Sequence, residues 1–337
     1  MLDRRLDGVE SIRVHGRLKF FLATHVGRTA IRAGESRANF WVRQNSAFAR
    51  AVLQIDWGCA DTVYAFNGAA LEIFQRARTR GLRRVLDQTA APWRYNTQLL
   101  AREQAHWPGW EECPVDMDTT GIMIAREEAE WELADRIICG SPFVVEAMRH
   151  VGGPVEKCRV VPYPMPDLHM RQETTHVSTN GPLRVLFIGT LQLRKGIQYV
   201  WETAAHLSRA DFEFRAVGPS NLTTHGEALV RSRIDWRGKI GVDDVWNHYH
   251  WADVVLRPTL SEGSANVLWE ATGARTLVIT TAAAGLEGSN ATIVSIDPHA
   301  IVNELRALAS DRWRRPGPPP RSRSVGNYGI DLIHSMS

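Results

Sequence analysis

Two glutamates eight residues apart carry the strongest chemical signal in this sequence. Glu262 follows a short apolar run and directly precedes Gly263 and a helix predicted over residues 264–272. The N-terminus of a helix presents unpaired N–H groups and the positive end of the helix dipole, an arrangement that holds a phosphate. Glu270 lies about 12 Å further along if helix rise separates the two carboxylates. Because carboxylates accept paired hydrogen bonds from hydroxyl groups, both could bind the sugars on either side of a diphosphate.

A second signal lies upstream, where a strand, a glycine turn and a helix follow one another over residues 187–196. Gly189 and Thr190 form the turn, and Arg194 and Lys195 place two cations beside it. Fixed cations stabilise the negative charge that a departing diphosphate gains. These side chains could therefore replace a metal ion, and no metal site is predicted. The one D-x-D sequence, over residues 116–118, precedes a helix and is interpreted as helix-start chemistry.

The elements that must position these residues are short apolar strands alternating with amphipathic helices. This alternation predicts a parallel sheet covered on both faces, which binds ligands beyond the carboxyl ends of its strands. The strands are predicted over residues 183–188, 212–217, 252–256, 277–280 and 293–296. The helices are predicted over residues 197–207, 243–250, 264–272 and 298–309.

The first half of the chain is less regular, but it also alternates between predicted strands and helices. Its strands are predicted over residues 62–66, 83–86, 136–139 and 159–161, after a helical stretch that reaches about residue 54. The proline-rich stretch over residues 162–166 continues neither a helix nor a central strand. We therefore predict one domain over residues 1–166, a linker over 167–181, a second domain over 182–310, and an irregular tail over 311–337 with a short terminal helix.

These motifs resemble those of the family 4 retaining glycosyltransferases of the two-Rossmann type, often called GT-B. Glu262 and Glu270 match the E-x7-E motif of that family, and Gly189 and Lys195 match its glycine loop and diphosphate-binding lysine. Residues 251–258 resemble the strand that leads into the motif, and residues 134–141 and 160–163 resemble the end of the acceptor domain. The likeness covers roughly residues 62–309.

The resemblance implies a fold of two doubly wound α/β domains facing a cleft, with the nucleotide-sugar donor bound by the second domain. Glu262 would contact the transferred sugar, Glu270 the ribose and Lys195 the diphosphate, and we name Glu262 and Lys195 as the catalytic residues. The reaction would retain the anomeric configuration, with a glycan or a lipid-linked acceptor. The implied donor-binding residues are Gly189, Thr190, Arg194, Lys195, Gly218, Lys239, Ile240, Glu262, Gly263, Ser264, Ala265, Asn266, Val267 and Glu270.

Three departures from the family pattern keep other interpretations open. Thr190 stands where the family often has an arginine, and Arg275 stands where a glycine is expected. Nothing before residue 62 supplies the apolar strand and glycine turn with which such a domain opens, so we expect the first strand to be missing. A non-catalytic or truncated nucleotide-sugar-binding remnant is therefore the first alternative, and a nucleotide-sugar epimerase on the same fold is the second.

Composition and charge exclude several other classes of protein. A formal net charge of +3 on 337 residues gives no reason to expect nucleic acid as a partner. The four cysteines form no C-x-x-C pair, which favours free thiols and a reducing cytoplasm. No cofactor is expected beyond the nucleotide sugar as co-substrate. Residues 13–37 are basic and amphipathic, so they form either a helix packed on its own domain or a peripheral contact with the inner membrane face.

Overall fold

The structure, a computed structural model, describes residues 37–112, 117–164, 181–286 and 290–311, together with Tyr328, Asp331, Leu332, His334 and Ser335. The predicted basic helix, the predicted linker and most of the predicted tail lie outside the described residues. The chain divides into two compact units. The first comprises residues 1–97, 115–163 and 324–337, and the second comprises residues 98–114 and 164–323.

The first unit contains a four-stranded parallel sheet with the strand order β1-β2-β3-β4. Its strands are β1 (Thr62–Phe66), β2 (Arg83–Gln88), β3 (Arg136–Cys139) and β4 (Cys158–Val160). Its helices are α1 (Arg37–Leu53), α2 (Leu71–Thr79), the start of α3 (Trp93–His106), α4 (Met117–Leu133) and α5 (Pro142–His150).

The second unit contains a six-stranded parallel sheet with the strand order β10-β9-β8-β5-β6-β7. Its strands are β5 (Leu183–Ile188), β6 (Phe212–Val217), β7 (Asp235–Trp236), β8 (Val254–Arg257), β9 (Leu277–Thr280) and β10 (Thr292–Ile293). Besides the end of α3, its helices are α6 (Ile197–Ala205), α7 (Thr224–Arg233), α8 (Val242–Trp251), α9 (Asn266–Gly273) and α10 (Pro298–Ser310).

The central strand β5 shows why this sheet is covered on both faces. Val185 and Phe187 belong to one buried apolar cluster, whereas Leu186 and Ile188 belong to another. Successive side chains of a strand point to opposite faces, so a continuous apolar run requires packing on both sides. The predicted α/β fold with parallel sheets is confirmed in both units.

The observed elements differ from the predictions in particular places. Helix α7 and strand β7 were not predicted, because α7 buries only Gly226 and Val230 and β7 has two residues. Helix α9 begins at Asn266, two residues later than predicted. Residues 98–114 lie within the range predicted for the first domain but belong to the second unit.

Residues 98–112 are attached to the second unit by specific contacts. Trp110 is buried in its core, and the Trp107 ring packs edge-to-face against the rings of Trp110 and Trp201. The carboxylate of Glu103 accepts hydrogen bonds from the side chains of Gln198 and Tyr199. This stretch is therefore part of the fold that carries the candidate site.

Candidate functional site

Close backbone packing joins the turns at the carboxyl ends of β5 and β6. The amide of Gly189 donates to Val217 O at 2.9 Å, and the amide of Gly218 donates to Gly238 O at 2.9 Å. A Cβ atom at Gly218 would lie 2.0 Å from Gly189 O, and Gly218 has a φ of 138°. Only glycine satisfies both conditions. The turns predicted to line the site therefore do lie side by side at one edge of the sheet.

A short 3-10 helix, Leu193–Lys195, brings both predicted cations to the loop after β8. It ends at Gly196, where φ is 80° and a Cβ atom would lie 2.0 Å from Pro258 O. This close approach joins the two loops, since the amide of Leu260 also donates to Arg194 O at 3.0 Å. The two sequence signals therefore lie in adjacent loops at the same edge of the sheet.

Glu262 lies at the centre of this site and is surrounded by cations. Lys195 Nζ donates to Glu262 Oε1, and Arg257 Nη2 donates to the same oxygen at 2.7 Å. Arg194 Nη1 lies 3.9 Å from Glu262 Oε2. Lys195, Arg257 and Glu262 are 8%, 5% and 9% exposed, so their charges interact with little screening by water.

Burial and charge shift the pKa values in this cluster. Although burial alone would raise the pKa of Glu262, Arg257, Lys195 and Arg194 together lower it, so the carboxylate is ionised. Burial lowers the pKa of Lys195 to about 7, and the two arginines add to this effect against the attraction of Glu262. The ammonium is therefore only partly stabilised by its surroundings, and a bound anion would stabilise it further.

Glu111 supports the 3-10 helix from the stretch over residues 98–112. Its Oε1 accepts the Leu193 amide at 2.7 Å, and its charge acts on Arg194. Burial raises the pKa of Glu111, while the hydrogen bond from Leu193 opposes that rise. Glu111 therefore fixes the loop that presents Arg194 and Lys195.

Glu270 is held by a buried tyrosine. The hydroxyl of Tyr249, on helix α8, lies 2.9 Å from Glu270 Oε2 and 2.8 Å from Val267 O. Burial, followed by the charge of Glu270, raises the pKa of Tyr249, so the hydroxyl keeps its proton as a donor. Glu270 is half-buried.

The backbone before helix α9 differs from the predicted arrangement in two respects. The amide of Ala265 donates to Ala284 O at 3.0 Å, so this amide is not free for a phosphate. The distance of about 12 Å between Glu262 and Glu270 assumed continuous helix, but Glu262 and the three residues after it precede Asn266, where the helix begins. Ser264 also has a local role, because Trp269 Nε1 lies 3.3 Å from its Oγ.

The remaining predicted donor-binding residues lie around this edge of the sheet with different exposure. Lys239 and Asn266 are exposed, Thr190, Ile240 and Val267 are half-buried, and Gly263 is buried. Ile240 and Val267 pack against one buried apolar cluster of the second unit. Their roles toward a ligand stay predictions.

Three residues that support the site were not predicted: Arg257, Tyr249 and Glu111. Arg257 ends strand β8, where an arginine interrupts an otherwise apolar strand, and this interruption was the available signal. Tyr249 and Glu111 act through tertiary contacts that no local pattern shows.

Among the described residues, no group of three or more histidine, cysteine, aspartate or glutamate side chains is arranged to hold a metal ion.

In the first unit, Asp87 lies near the carboxyl end of β2, the edge of a parallel sheet at which ligands commonly bind. The carboxylate is 1% exposed. Its oxygens accept hydrogen bonds from Tyr64 and, at 2.5 Å, from Tyr163. Burial raises the pKa of Asp87 against these two hydrogen bonds. Both carboxylate oxygens of Asp87 are therefore occupied by hydrogen bonds from tyrosine hydroxyls.

The fold and site define a class of protein, the α/β enzymes that bind a ligand at the carboxyl edge of a parallel sheet. Residues 182–311 match the family described as glycosyl transferases group 1. The recognition of a GT-B glycosyltransferase from the sequence is confirmed. No curated protein gives a significant match to the sequence.

Solved structures support the same fold. Sucrose-phosphate synthase from Thermosynechococcus elongatus matches with a TM-score of 0.62 and 19% identity, over 88% of this chain and 74% of that one. Anabaena HepE in complex with UDP and glucose gives 0.58 and 12%, over 86% and 77%. The lipopolysaccharide outer core galactosyltransferase WaaB gives 0.57 and 15%, over 89% and 80%. At these identities the likeness concerns the fold.

Among the described residues, no helix has the length and apolar character to cross a membrane.

Proposed function

We propose that this protein transfers a sugar from a nucleotide-diphosphate sugar to an acceptor hydroxyl, with retention of the anomeric configuration and without a metal ion. The observation that carries the proposal is the buried cluster in which Lys195, Arg194 and Arg257 surround Glu262. Three cations around one carboxylate give an excess of positive charge, which favours binding of a negatively charged diphosphate. The family match of residues 182–311 supports the same reaction class.

Each part of the site has a role in this reaction. Lys195 and Arg194 would bind the diphosphate and stabilise the charge that develops as the bond to the anomeric carbon breaks. Glu262 would accept hydrogen bonds from the transferred sugar, and Glu270 would accept them from the ribose. The acceptor hydroxyl would attack on the face from which the diphosphate departs, and its proton would pass to a phosphate oxygen of the leaving group.

The proposed metal independence has a physical basis in the same cluster. A divalent ion would neutralise a diphosphate, but two cations already lie beside the glycine turns, on a 3-10 helix whose start is fixed by Glu111. The proposed acceptor, a glycan or a lipid-linked saccharide, and the proposed place at the inner membrane face rest on the sequence alone.

The test is slow hydrolysis of the donor by water, because this reaction needs no acceptor. UDP-, GDP-, TDP- and ADP-glucose are incubated with the protein, with and without EDTA, and the released sugar is followed by NMR. We expect one donor to give the α-sugar first, at a rate that EDTA leaves unchanged and Lys195→Met lowers at least tenfold. The β-anomer would contradict retention, and loss of activity in EDTA would contradict metal independence.

A non-catalytic nucleotide-sugar-binding protein is the second candidate, and Arg275 favours it. This residue has a φ of 58° at a position where the family pattern has glycine. Binding of a donor without release of sugar, even with saccharide acceptors added, would select this candidate. Conversion of the donor sugar into its epimer, detected by mass and NMR analysis, would instead select an epimerase.

A further inference from the structure

Arg257 makes contacts that the proposed roles do not use. The residue ends strand β8, next to β5, and its guanidinium bridges two elements: Nη1 donates to Ile188 O at 3.1 Å and Nη2 to Glu262 Oε1 at 2.7 Å. A Cβ atom at Gly189 would lie 3.0 Å from Nη1, so the guanidinium packs on the glycine turn. Arg257 therefore connects the turn after β5 with the loop that carries Glu262.

The contacts to Glu262 are distributed unevenly between its two oxygens. Within the described chain, the hydrogen bonds to this carboxylate from Lys195, Arg257 and Thr259 all end on Oε1. Oε2 lies 3.9 Å from Arg194, which is beyond hydrogen-bonding distance. One oxygen is thus fixed by the protein, and the other keeps its capacity to accept a hydrogen bond.

Stability alone gives a poor reason for an arginine at this position. A buried ion pair contributes little net stability compared with apolar residues of similar size. In addition, Arg257 Nε is buried and has no hydrogen-bond acceptor in the described part of the chain, which carries a further cost. The other strand residues of β8 are apolar, so an apolar residue would also fit the pattern of this strand.

We propose that Arg257 is a positioning residue that, with Lys195, fixes Glu262 Oε1 and thereby presents the ionised Oε2 to a hydroxyl of the donor sugar. This inference rests on the proposed function and extends it to the preference for a nucleotide sugar over the bare nucleotide. Arginine suits the role because its planar guanidinium binds two acceptors in fixed directions, which the single ammonium of lysine does not do.

The test takes the one nucleotide-glucose, among UDP-, GDP-, TDP- and ADP-glucose, that the wild type binds, and compares its binding with that of the corresponding nucleoside diphosphate by calorimetry from pH 5 to pH 8. Their ratio of dissociation constants isolates the contribution of the sugar, so a general weakening of the site cancels. In the wild type the preference for the sugar nucleotide changes with pH as the terminal phosphate of the nucleoside diphosphate ionises at about pH 6, so each variant is compared with the wild type at the same pH. In Arg257→Met the preference falls about tenfold below the wild-type value at pH 8, as expected for a lost hydrogen bond to a charged group, and falls further toward pH 5.

Two further variants separate positioning from a general structural effect. Arg257→Lys keeps the charge, so the ratio keeps its wild-type dependence on pH while the preference falls in part. Arg215→Met is the matched control: Arg215 is a largely buried arginine of β6 that pairs with Asp235 and stacks on Trp251. This control leaves the ratio at its wild-type value. An unchanged ratio in Arg257→Met would overturn the proposal.

A measurement without ligand distinguishes failure of this inference from failure of the proposed function. Urea unfolding of Arg257→Met, Glu262→Gln and the double variant forms a double-mutant cycle. We expect the double variant to be more stable than the sum of the single losses predicts. Additive losses would overturn the pairing on which the inference depends. If the pair is coupled but the wild type binds none of the donor nucleotides, the proposed function fails instead.

Discussion

At the scale of single residues, the candidate site is a cluster of three cations around the carboxylate of Glu262. The charges of Arg257, Lys195 and Arg194 lower the pKa of Glu262. Burial lowers the pKa of Arg194, and the charge of Glu111 opposes that change. Counting these side chains as ionised leaves an excess of positive charge in a largely buried place. Such an arrangement costs free energy in the empty protein and favours a ligand that brings negative charge.

This charge balance predicts that donor binding takes up a proton. Burial lowers the pKa of Lys195 to about 7, so at pH 8 most of the free protein carries a neutral Lys195. The diphosphate stabilises the ammonium, raises its pKa and draws in a proton, so affinity falls as the pH rises above 7. Calorimetry of UDP-glucose binding in buffers of different ionisation enthalpy should show an uptake of about one proton at pH 8.

Lys195→Met provides the control for the proton uptake, because it removes the titrating group and leaves Arg194 and Arg257 in place. This variant should bind more weakly and take up no proton. A wild type that binds UDP-glucose at pH 8 without proton uptake would show that Lys195 is already charged in the free site.

At the scale of elements, the strands were predictable and the supports of the site were not. Strands β5, β6 and β9 have their predicted bounds, because each is a short apolar run bounded by glycine or polar residues. The close position of Glu262 and Lys195 also followed from the strand-turn-helix pattern. Arg257 and Tyr249 were not predicted, because their roles depend on the order of the strands in the sheet and on the packing of helix α8.

The end of helix α9 contains a strained residue. The amide of Arg275 donates to Thr272 O and that of Thr276 to Ala271 O, the hydrogen-bond pattern of a glycine-terminated helix. Arg275 nevertheless has a φ of 58°, which costs a non-glycine residue about 1 kcal/mol or more. We expect Arg275→Gly to be more stable than Arg275→Ala by about 1 kcal/mol in urea unfolding. Both variants lose the same side-chain contacts, so equal stability would mean that the strain is absent.

The 3-10 helix that carries the site cations should depend on Glu111. Glu111→Ala leaves the buried Leu193 amide without its acceptor, and we expect a loss of about 1–3 kcal/mol in the free energy of unfolding. Glu112→Ala is the matched control, since Glu112 is the exposed neighbour. If both variants unfold at the same urea concentration, Glu111 does not stabilise this loop.

At the scale of the whole molecule, each unit is built from separated parts of the sequence. The second unit includes residues 98–114, although the family match begins at residue 182. The first unit includes residues 324–337, whose described members Tyr328 and Leu332 pack against Val85, Ile138 and Val161. The assignment of these two segments to their units was not predictable from the sequence, because local periodicity does not show which core a segment packs against.

The C-terminal segment should stabilise the first unit. Tyr328 shares a hydrogen bond with Tyr64, which donates to Asp87. A chain ending at residue 323 should lose roughly 2–3 kcal/mol of stability in the first unit, because a tyrosine and a leucine leave its apolar cluster. Hydrogen exchange should then be faster in β2 and β3 and unchanged in β5 and β8.

Tyr328→Phe provides the control for the truncation, because it keeps the ring and removes only the hydroxyl. It should cost less than the truncation, about 1 kcal/mol. Equal protection of β2 and β3 in the full and shortened chains would contradict the stabilising role of the segment.

The most direct test of the central claim, that the second unit binds a nucleotide sugar through Glu262, Lys195 and Glu270, is donor binding by calorimetry. UDP-, GDP-, TDP- and ADP-glucose are titrated into the wild type and Glu270→Ala. We predict that the wild type binds one of them and that the variant binds it about tenfold to a hundredfold more weakly, since a carboxylate hydrogen bond to ribose is worth roughly 1.5–3 kcal/mol. Binding that Glu270→Ala leaves unchanged, or no binding of any donor by the wild type, would contradict the claim.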